Sequence, residues 1–213
     1  GEAASRGALV DAIDFSEAMV REAKLRFKDI SFMEADAEVL PYDDLSFDAV
    51  TCCFGLLHLP NSAQGVREAY RVLKPGGRYS VTLWCGPERG GELFKVILQT
   101  VSSVGDMNVD LPKAPPMFEL SEPGKIEALM SDAGFDDIQR KPIASAWRTR
   151  RAEDIVEFIK YGTVRTSLII QFQKPEVREL IMEELVKAFR PYERGAELEV
   201  PCQSILATGA KPH

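Results

Sequence analysis

The sequence contains no run of about 18–20 consecutive apolar residues, which excludes a membrane-spanning helix. Its first residues lack the long apolar core of a secretory signal. It has no large basic cluster. The net charge is −7 and the pI near 5.1, so phosphate counterion release offers no affinity and nucleic acid is not an expected partner. The short stretch Arg148, Arg150 and Arg151 reads as a solvated strand end. Histidine is scarce, with only His58 and His213, and no two of Cys52, Cys53, Cys85 and Cys202 have Cys-x-x-Cys spacing. Neither a structural metal nor a disulfide framework is expected on that basis, and a reducing, cytoplasmic setting is expected. No internal repeat, low-complexity tract or linker interrupts the chain.

What is there is an alternation of strand and helix patterns. The 213 residues are 45% hydrophobic and 28% charged, enough for one α/β domain with a sizeable core. Leu9–Ile13 reads as a short strand ending at Asp14. Ser16 can cap the next helix, which runs to about Phe27 with Met19, Ala23 and Phe27 on one face. Ile30–Glu34 is a second strand. Phe47–Phe54 (FDAVTCCF) is a third, apolar almost throughout, as a parallel strand covered on both faces would be. Ala63–Leu73 is helical and is ended by Lys74-Pro75-Gly76-Gly77, before a fourth strand at Arg78–Trp84.

The second half continues with an amphipathic helix at Glu92–Val104 and a proline-rich loop at Gly105–Leu120, long enough to serve as a lid. A helix at Glu122–Ala133 is stopped by Gly134. A strand at Ile138–Trp147, helices at Ala152–Tyr161 and Glu176–Phe189, and a last strand at Leu198–Thr208 follow. The alternation predicts a doubly wound, mostly parallel sheet.

In such sheets ligands bind outside the carboxyl ends of the strands, and an acid ending an early strand can hold ribose hydroxyls. Asp14 has that place, and a simple turn aspartate is the competing reading. The acid falls about 20 residues beyond a glycine fingerprint, so that fingerprint is expected upstream of Gly1. The sequence is therefore expected to be a piece of a longer chain, with an intact mass above 23.7 kDa. Cys53-Phe54-Gly55 closes the third strand, and Gly55 permits close backbone approach.

The strings VDAIDFSEAMV, FMEADAEVLPYDDLSFDAV and REAYRVLKPGGRYSVTLW together resemble a class I S-adenosylmethionine (SAM) methyltransferase of the ubiquinone/menaquinone-biosynthesis type, over about Leu9–Trp84. The resemblance implies a Rossmann-like sheet of the seven-stranded type. Its C-terminal strands, Ile138–Trp147 and Leu198–Thr208, would be an antiparallel pair, and residues 149–194 a helical insertion on the substrate side of a single domain. It implies a glycine loop and a central strand that these residues do not include, leaving apolar sheet edges uncovered. It also implies that Asp14, Phe15, Met19, Asp36, Ala37, Cys53, Phe54 and Gly55 bind SAM, with Asp36 and the following N–H on the adenine.

His58, three residues past Gly55, has two readings: a base for an acceptor hydroxyl or acidic carbon, or a structural histidine shaping the pocket. Displacement at a sulfonium can run on positioning, so a base is optional. Asp44 reads as turn surface and Asp48 as ordering the strand entrance. Trp147, Phe118, Tyr161 and Arg165 could line an acceptor pocket or simply pack. The expected activity is methyl transfer to a small, hydrophobic or aromatic molecule. The alternatives are a non-catalytic methyltransferase-like binding or scaffold protein and, third, an NAD-dependent oxidoreductase.

Overall fold

The computed structural model describes residues 1–111 and 115–213, so the central part of the proline-rich loop, residues 112–114, lies outside the described residues. In chain order the elements are α1 (Glu2–Ser5), β1 (Asp11–Asp14), α2 (Glu17–Arg26), β2 (Ser31–Glu34), β3 (Phe47–Cys53), α3 (Ser62–Val72), β4 (Leu73–Trp84), α4 (Glu92–Val104), α5 (Lys125–Ala133), β5 (Asp136–Ile143), β6 (Ala146–Thr149), α6 (Asp154–Gly162), α7 (Arg165–Gln171), α8 (Pro175–Phe189), β7 (Glu193–Arg194), β8 (Glu197–Pro201) and β9 (Ser204–Ala210). The architecture is mixed α/β, with a mostly parallel central sheet and an antiparallel strand group.

The described strands form three sheets. β1 and β2 pair in parallel with Asp14 opposite Glu34, β3-β4-β9-β5 is a four-stranded sheet, and β6-β8-β7 is antiparallel. The chain divides into two compact units: Gly1–Val81 with Ile126–Gln139 and Ala207–His213, and Thr82–Lys125 with Arg140–Leu206.

In the first unit, Ser16 caps α2 as expected, its Oγ accepting from Met19 N at 3.4 Å. The expected inward face of that helix is wrong, however. Val20 is its buried residue, and Met19 and Phe27 are exposed. None of the residues of β3 is fully buried, and among the described residues it has a bonded neighbour on one side only.

β4 begins at Leu73, directly after α3, so Lys74-Pro75-Gly76-Gly77 lies inside the strand and is not a separate turn. Its backbone is paired: Gly76 N donates to Lys211 O at 2.8 Å and Lys211 N to Gly77 O at 2.9 Å. Gly76 has φ +76, which favours glycine. A Cβ on Gly77 would lie 2.8 Å from the Lys74 carbonyl oxygen, so backbone approach explains the second glycine. Gly134, at φ +102, ends α5 and lets Phe135 N donate to Met130 O at 3.0 Å, with Phe135 buried against Tyr70 and Tyr79.

The two expected C-terminal strands are each broken in two, β5/β6 and β8/β9. The break has a hydrogen-bonding cause. Cys202 N donates to Ser145 O at 2.8 Å, and the Ser145 hydroxyl donates to Cys202 O. The backbone of Gln203 then bonds away from β6, with Cys85 N donating to Gln203 O at 2.9 Å and Gln203 N to Gly90 O at 3.1 Å. The apolar core of the second unit joins α4, α6, α7, α8 and β8 through Ile97, Val101, Ile155, Ile159, Ile170, Ile181, Leu185, Phe189 and Leu198. α7 was not expected from the sequence.

Candidate functional site

Three strand ends of the first unit are tied together by polar bonds. Asp14 closes β1, and its carbonyl accepts from Ala35 N at 3.0 Å, which joins the end of β1 to the end of β2. One residue on, Asp36 folds back as an Asx turn, its Oδ1 accepting from Glu38 N at 2.8 Å. Glu38 then accepts from Asn61 N at 2.7 Å, binding the segment after β2 to the segment after β3. Gly65 of α3 sits against both segments. A Cβ there would lie 2.5 Å from the Leu59 side chain and 3.8 Å from Ala37 O. The structure thus brings Asp14, Asp36 and Ala37 to one edge of the unit, and Glu38 joins them to the turn that carries Gly55 and His58.

Several groups at this edge are left open. Asp14 Oδ1 accepts from Ser16 N at 2.8 Å, while Oδ2 has no partner among the described residues. Asp36 Oδ2 and the Ala37 N–H are likewise without partners among the described residues. Phe15 and Met19 are exposed beside them in sequence. Two free carboxylate acceptors and a backbone donor suit a ribose diol and an adenine edge, and an exposed ring and thioether suit an apolar neighbour. The residues present therefore fit an adenosine-bearing cofactor.

β3 ends in a strained residue. Phe54 has φ +58, left-handed for a side chain with a Cβ, at a cost of about 1–2 kcal/mol. Gly55 follows, packed so that a Cβ would lie 3.2 Å from Cys52 Sγ. The chain then turns through a 3₁₀ segment, Leu56–His58, with His58 N donating to Gly55 O at 3.0 Å. Leu56 and Leu57 anchor this segment in the core. Cys53 is exposed, whereas burial pushes the Cys52 thiol up and leaves it protonated and inert. His58 keeps an exposed side chain, yet the packing around it is enough to lower its pKa by desolvation. Its imidazole is neutral at neutral pH and able to accept a proton.

The sequence reading missed the brace behind the site. Glu68 is buried on α3 and accepts from Leu40 N at 2.7 Å. Arg71 grips both carboxylate oxygens of Glu68, at 2.9 and 2.8 Å, and reaches Tyr42 O, Leu40 O and Asp44 Oδ1. Asp44, expected as turn surface, is thus the exposed end of a charge network that clamps residues 40–44. The signal was legible in Glu68-Ala-Tyr-Arg71, an i, i+3 pair on a helix. Asp48 pairs with Lys74 at 2.9 Å at the entrance of β3.

In the second unit, Phe118 packs on Phe94, with ring centroids 5.2 Å apart, and lies over Gly86. Trp147 is wedged between Phe158 and Phe189 and packs against the helical core. Tyr161 is exposed, beside a cleft of about 650 Å³. Arg165 begins α7. Among the described residues no helix is long and apolar enough to cross a membrane, and no cluster of metal-ligating side chains occurs.

Comparison with known proteins agrees with this arrangement. Residues 1–81 match the family described as a methyltransferase domain. The chain is 32% identical to the demethylmenaquinone methyltransferase of Clavibacter sepedonicus, over 67% of this chain and 62% of that protein. It is 35% identical to the enzyme of the same name from Thermus thermophilus, over 61% of this chain and 64% of that one. The chain thus spans about six-tenths of the length of these relatives. Among solved structures, a candidate methyltransferase from Bacillus halodurans C-125 shares the fold at a TM-score of 0.58 and 23% identity, covering 97% of this chain and 84% of that one. The fold is that of this methyltransferase structure. In sequence the chain is similar to enzymes of the ubiquinone/menaquinone-biosynthesis type.

Proposed function

We propose that this chain belongs to an enzyme that transfers a methyl group from SAM to a small-molecule acceptor by in-line displacement. The observation that carries the reading is the linked set of strand ends, with Asp14 Oδ2, Asp36 Oδ2 and the Ala37 N–H all open at one edge. When bound, SAM supplies a methyl group on a sulfonium whose leaving group is a neutral thioether. Asp14 would accept from both ribose hydroxyls, Asp36 from the adenine amino group, and Ala37 N–H would donate to the ring. Phe15 and Met19 would cover the adenosine. Cys53, Phe54 and Gly55 would present backbone to the methionine end, which gives the strain at Phe54 a use.

His58, neutral at working pH, would take a proton from an acidic acceptor carbon or hydroxyl, or else shape the pocket. Likeness to the demethylmenaquinone enzymes favours a quinone-type ring as acceptor. Residues 149–194, which hold α6, α7 and α8, would form the acceptor-binding part of a single-domain enzyme. Four free cysteines among the described residues accord with a reducing, cytoplasmic location.

Isothermal titration with SAM, S-adenosylhomocysteine and NAD tests the reading. Binding of the first two without NAD is expected, with at least about a tenfold loss in Asp14→Ala, which removes two charge-assisted hydrogen bonds. Binding of NAD alone would point to an oxidoreductase. Silence with all three ligands would favour the scaffold alternative.

A further inference from the structure

Helix α7 of the second unit carries apolar side chains on both of its faces. Ile169 and Ile170 are buried in the helical core together with Ser167. On the outside, Leu168 N donates to Val164 O and Phe172 N to Leu168 O, both at 3.1 Å, so Val164, Leu168 and Phe172 stand one turn above another. They are 70%, 37% and 58% exposed. Tyr161, in the last turn of α6 and three residues before Val164, is 86% exposed. Three large apolar residues held outward at helical spacing on α7, with exposed Tyr161 at the end of α6 shortly before them in sequence, differ from scattered surface hydrophobics and mark an interaction surface.

The charge around the row indicates what it meets. From residue 158 to residue 175 the chain holds Lys160, Arg165 and Lys174 and no aspartate or glutamate, although the whole chain is acidic at −7. The nearest acids in sequence are Glu157 before this stretch and Glu176 after it. Glu179 and Glu183 line the neighbouring cleft of about 650 Å³ together with Arg178, Lys160, Tyr161 and Met182. An outward apolar row on α7, in a stretch of chain from 158 to 175 that has cations and no acid, matches an interfacial helix, with Glu179 and Glu183 confined to the cleft beside Tyr161. The rings and branched side chains reach the acyl boundary while the cations meet anionic headgroups.

We propose that the α6–α7 edge, through Tyr161, Val164, Leu168 and Phe172 with Lys160 and Lys174, docks this protein on the surface of an anionic lipid bilayer without spanning it. This goes beyond the methyl-transfer reading and is scored without measuring activity, so either can fail alone. The test is co-sedimentation of the chain with vesicles of mixed phosphatidylglycerol and phosphatidylcholine, and with vesicles of phosphatidylcholine alone.

The mixed vesicles should capture the chain and high salt should weaken capture. Val164→Ser/Phe172→Ser should lower partitioning at least about tenfold, the scale of leaving a large apolar side chain in water. Lys160→Gln/Lys174→Gln should erase most of the preference for the mixed vesicles. Unchanged circular dichroism and melting temperature would show that the variants fold. Absence of capture by either vesicle would overturn the proposal, as would equal capture of the apolar double variant. Self-association of the lipid-free chain that disappears in Val164→Ser/Phe172→Ser would overturn it too, assigning the face to a second copy.

Discussion

The second unit and the N-terminal part of the first, up to β3, are held together by different physics. The second is built around a dry cluster of isoleucine, leucine, valine and phenylalanine from four helices and a strand. The first carries its apolar residues poorly covered up to β3: Leu9, Phe15, Leu25, Met33 and Val39 are exposed, and Val20 and Ile30 are the only buried hydrophobics from residue 1 to residue 55. Order there comes from polar ties, namely Asp14 to Ser16, Glu38 to Asn61, and the Glu68–Arg71 clamp on residues 40–44. Apolar cores resist single polar losses, whereas polar ties fail one bond at a time. The proposed cofactor residues lie on the polar, weakly covered unit, where ligand contacts have groups left to bind.

The largest effect that could break this contrast is in the second unit's core. Phe189 is fully buried, with Trp147 at 5.7 Å and Tyr192 at 6.1 Å between ring centroids. Phe189→Ala should cost about 3–5 kcal/mol in urea unfolding. Phe15→Ala, an equal truncation on an exposed residue of the first unit, should stay within about 0.5 kcal/mol. Similar losses from the two variants would mean that the segment before β3 is held by apolar packing as the second unit is. Hydrogen exchange sharpens the same point, since amides of β1 and β2 should exchange before those of α4 and α8.

The sequence was most readable where local chemistry and tertiary context agree. Ser16 caps α2, Gly134 ends α5, and Gly76-Gly77 stand where backbone conformation and backbone approach require them. It was less readable where the pattern of one strand stands for the sheet around it. FDAVTCCF has the apolar density of a central strand, yet the burial of β3 depends on a neighbour that its own residues do not specify. The split of Ile138–Trp147 into β5 and β6 rests on Ser145–Cys202 pairing, 57 residues apart in sequence, which no local window carries. Among candidate site residues, Asp14 and Asp36 were legible from their places after strands. Phe54's left-handed backbone and the Glu68–Arg71 brace were not singled out, because one is a conformation and the other a set of long-range bonds.

A middle-sized effect tests the polar side of the comparison. Glu68→Ala would leave Arg71 and the Leu40 N–H without their shared acceptor. With the pair only partly exposed, the expected loss is about 2–3 kcal/mol. The wild-type bond also has a pH signature. Hydrogen bonds from Arg71 hold the Glu68 carboxyl below its ordinary value, burial opposes them, and Leu40 N–H adds to them. Because the folded pKa lies below the unfolded one, this stability is fully present above the ordinary carboxyl value near 4.5. It is lost as pH falls through the lower folded value. Urea melts over that acid window should show a slope in the wild type that Glu68→Gln reduces. Equal slopes would remove the brace from the account of the first unit.

The smallest effect concerns His58. Burial lowers its pKa from the ordinary 6.5, so on folding the neutral imidazole is favoured. Below 6.5 the unfolded chain binds more protons at this position than the folded one, so stability falls as pH drops through the window beneath 6.5 and is flat above it. With only two histidines, proton NMR can follow His58 directly once His213→Gln has assigned the spectrum. A midpoint below 6.5 is expected, moving upward in Leu57→Ala, which opens the packing of the turn that carries the ring. A base that must take a proton near neutral pH gains from this depression, since it is deprotonated before the acceptor arrives, but loses proton affinity in the same measure. The pH profile of methyl transfer therefore separates the two roles. If His58 is the base, activity falls on the acid side with the midpoint seen by NMR, and His58→Gln removes that limb. If it only shapes the turn, His58→Gln leaves the limb in place.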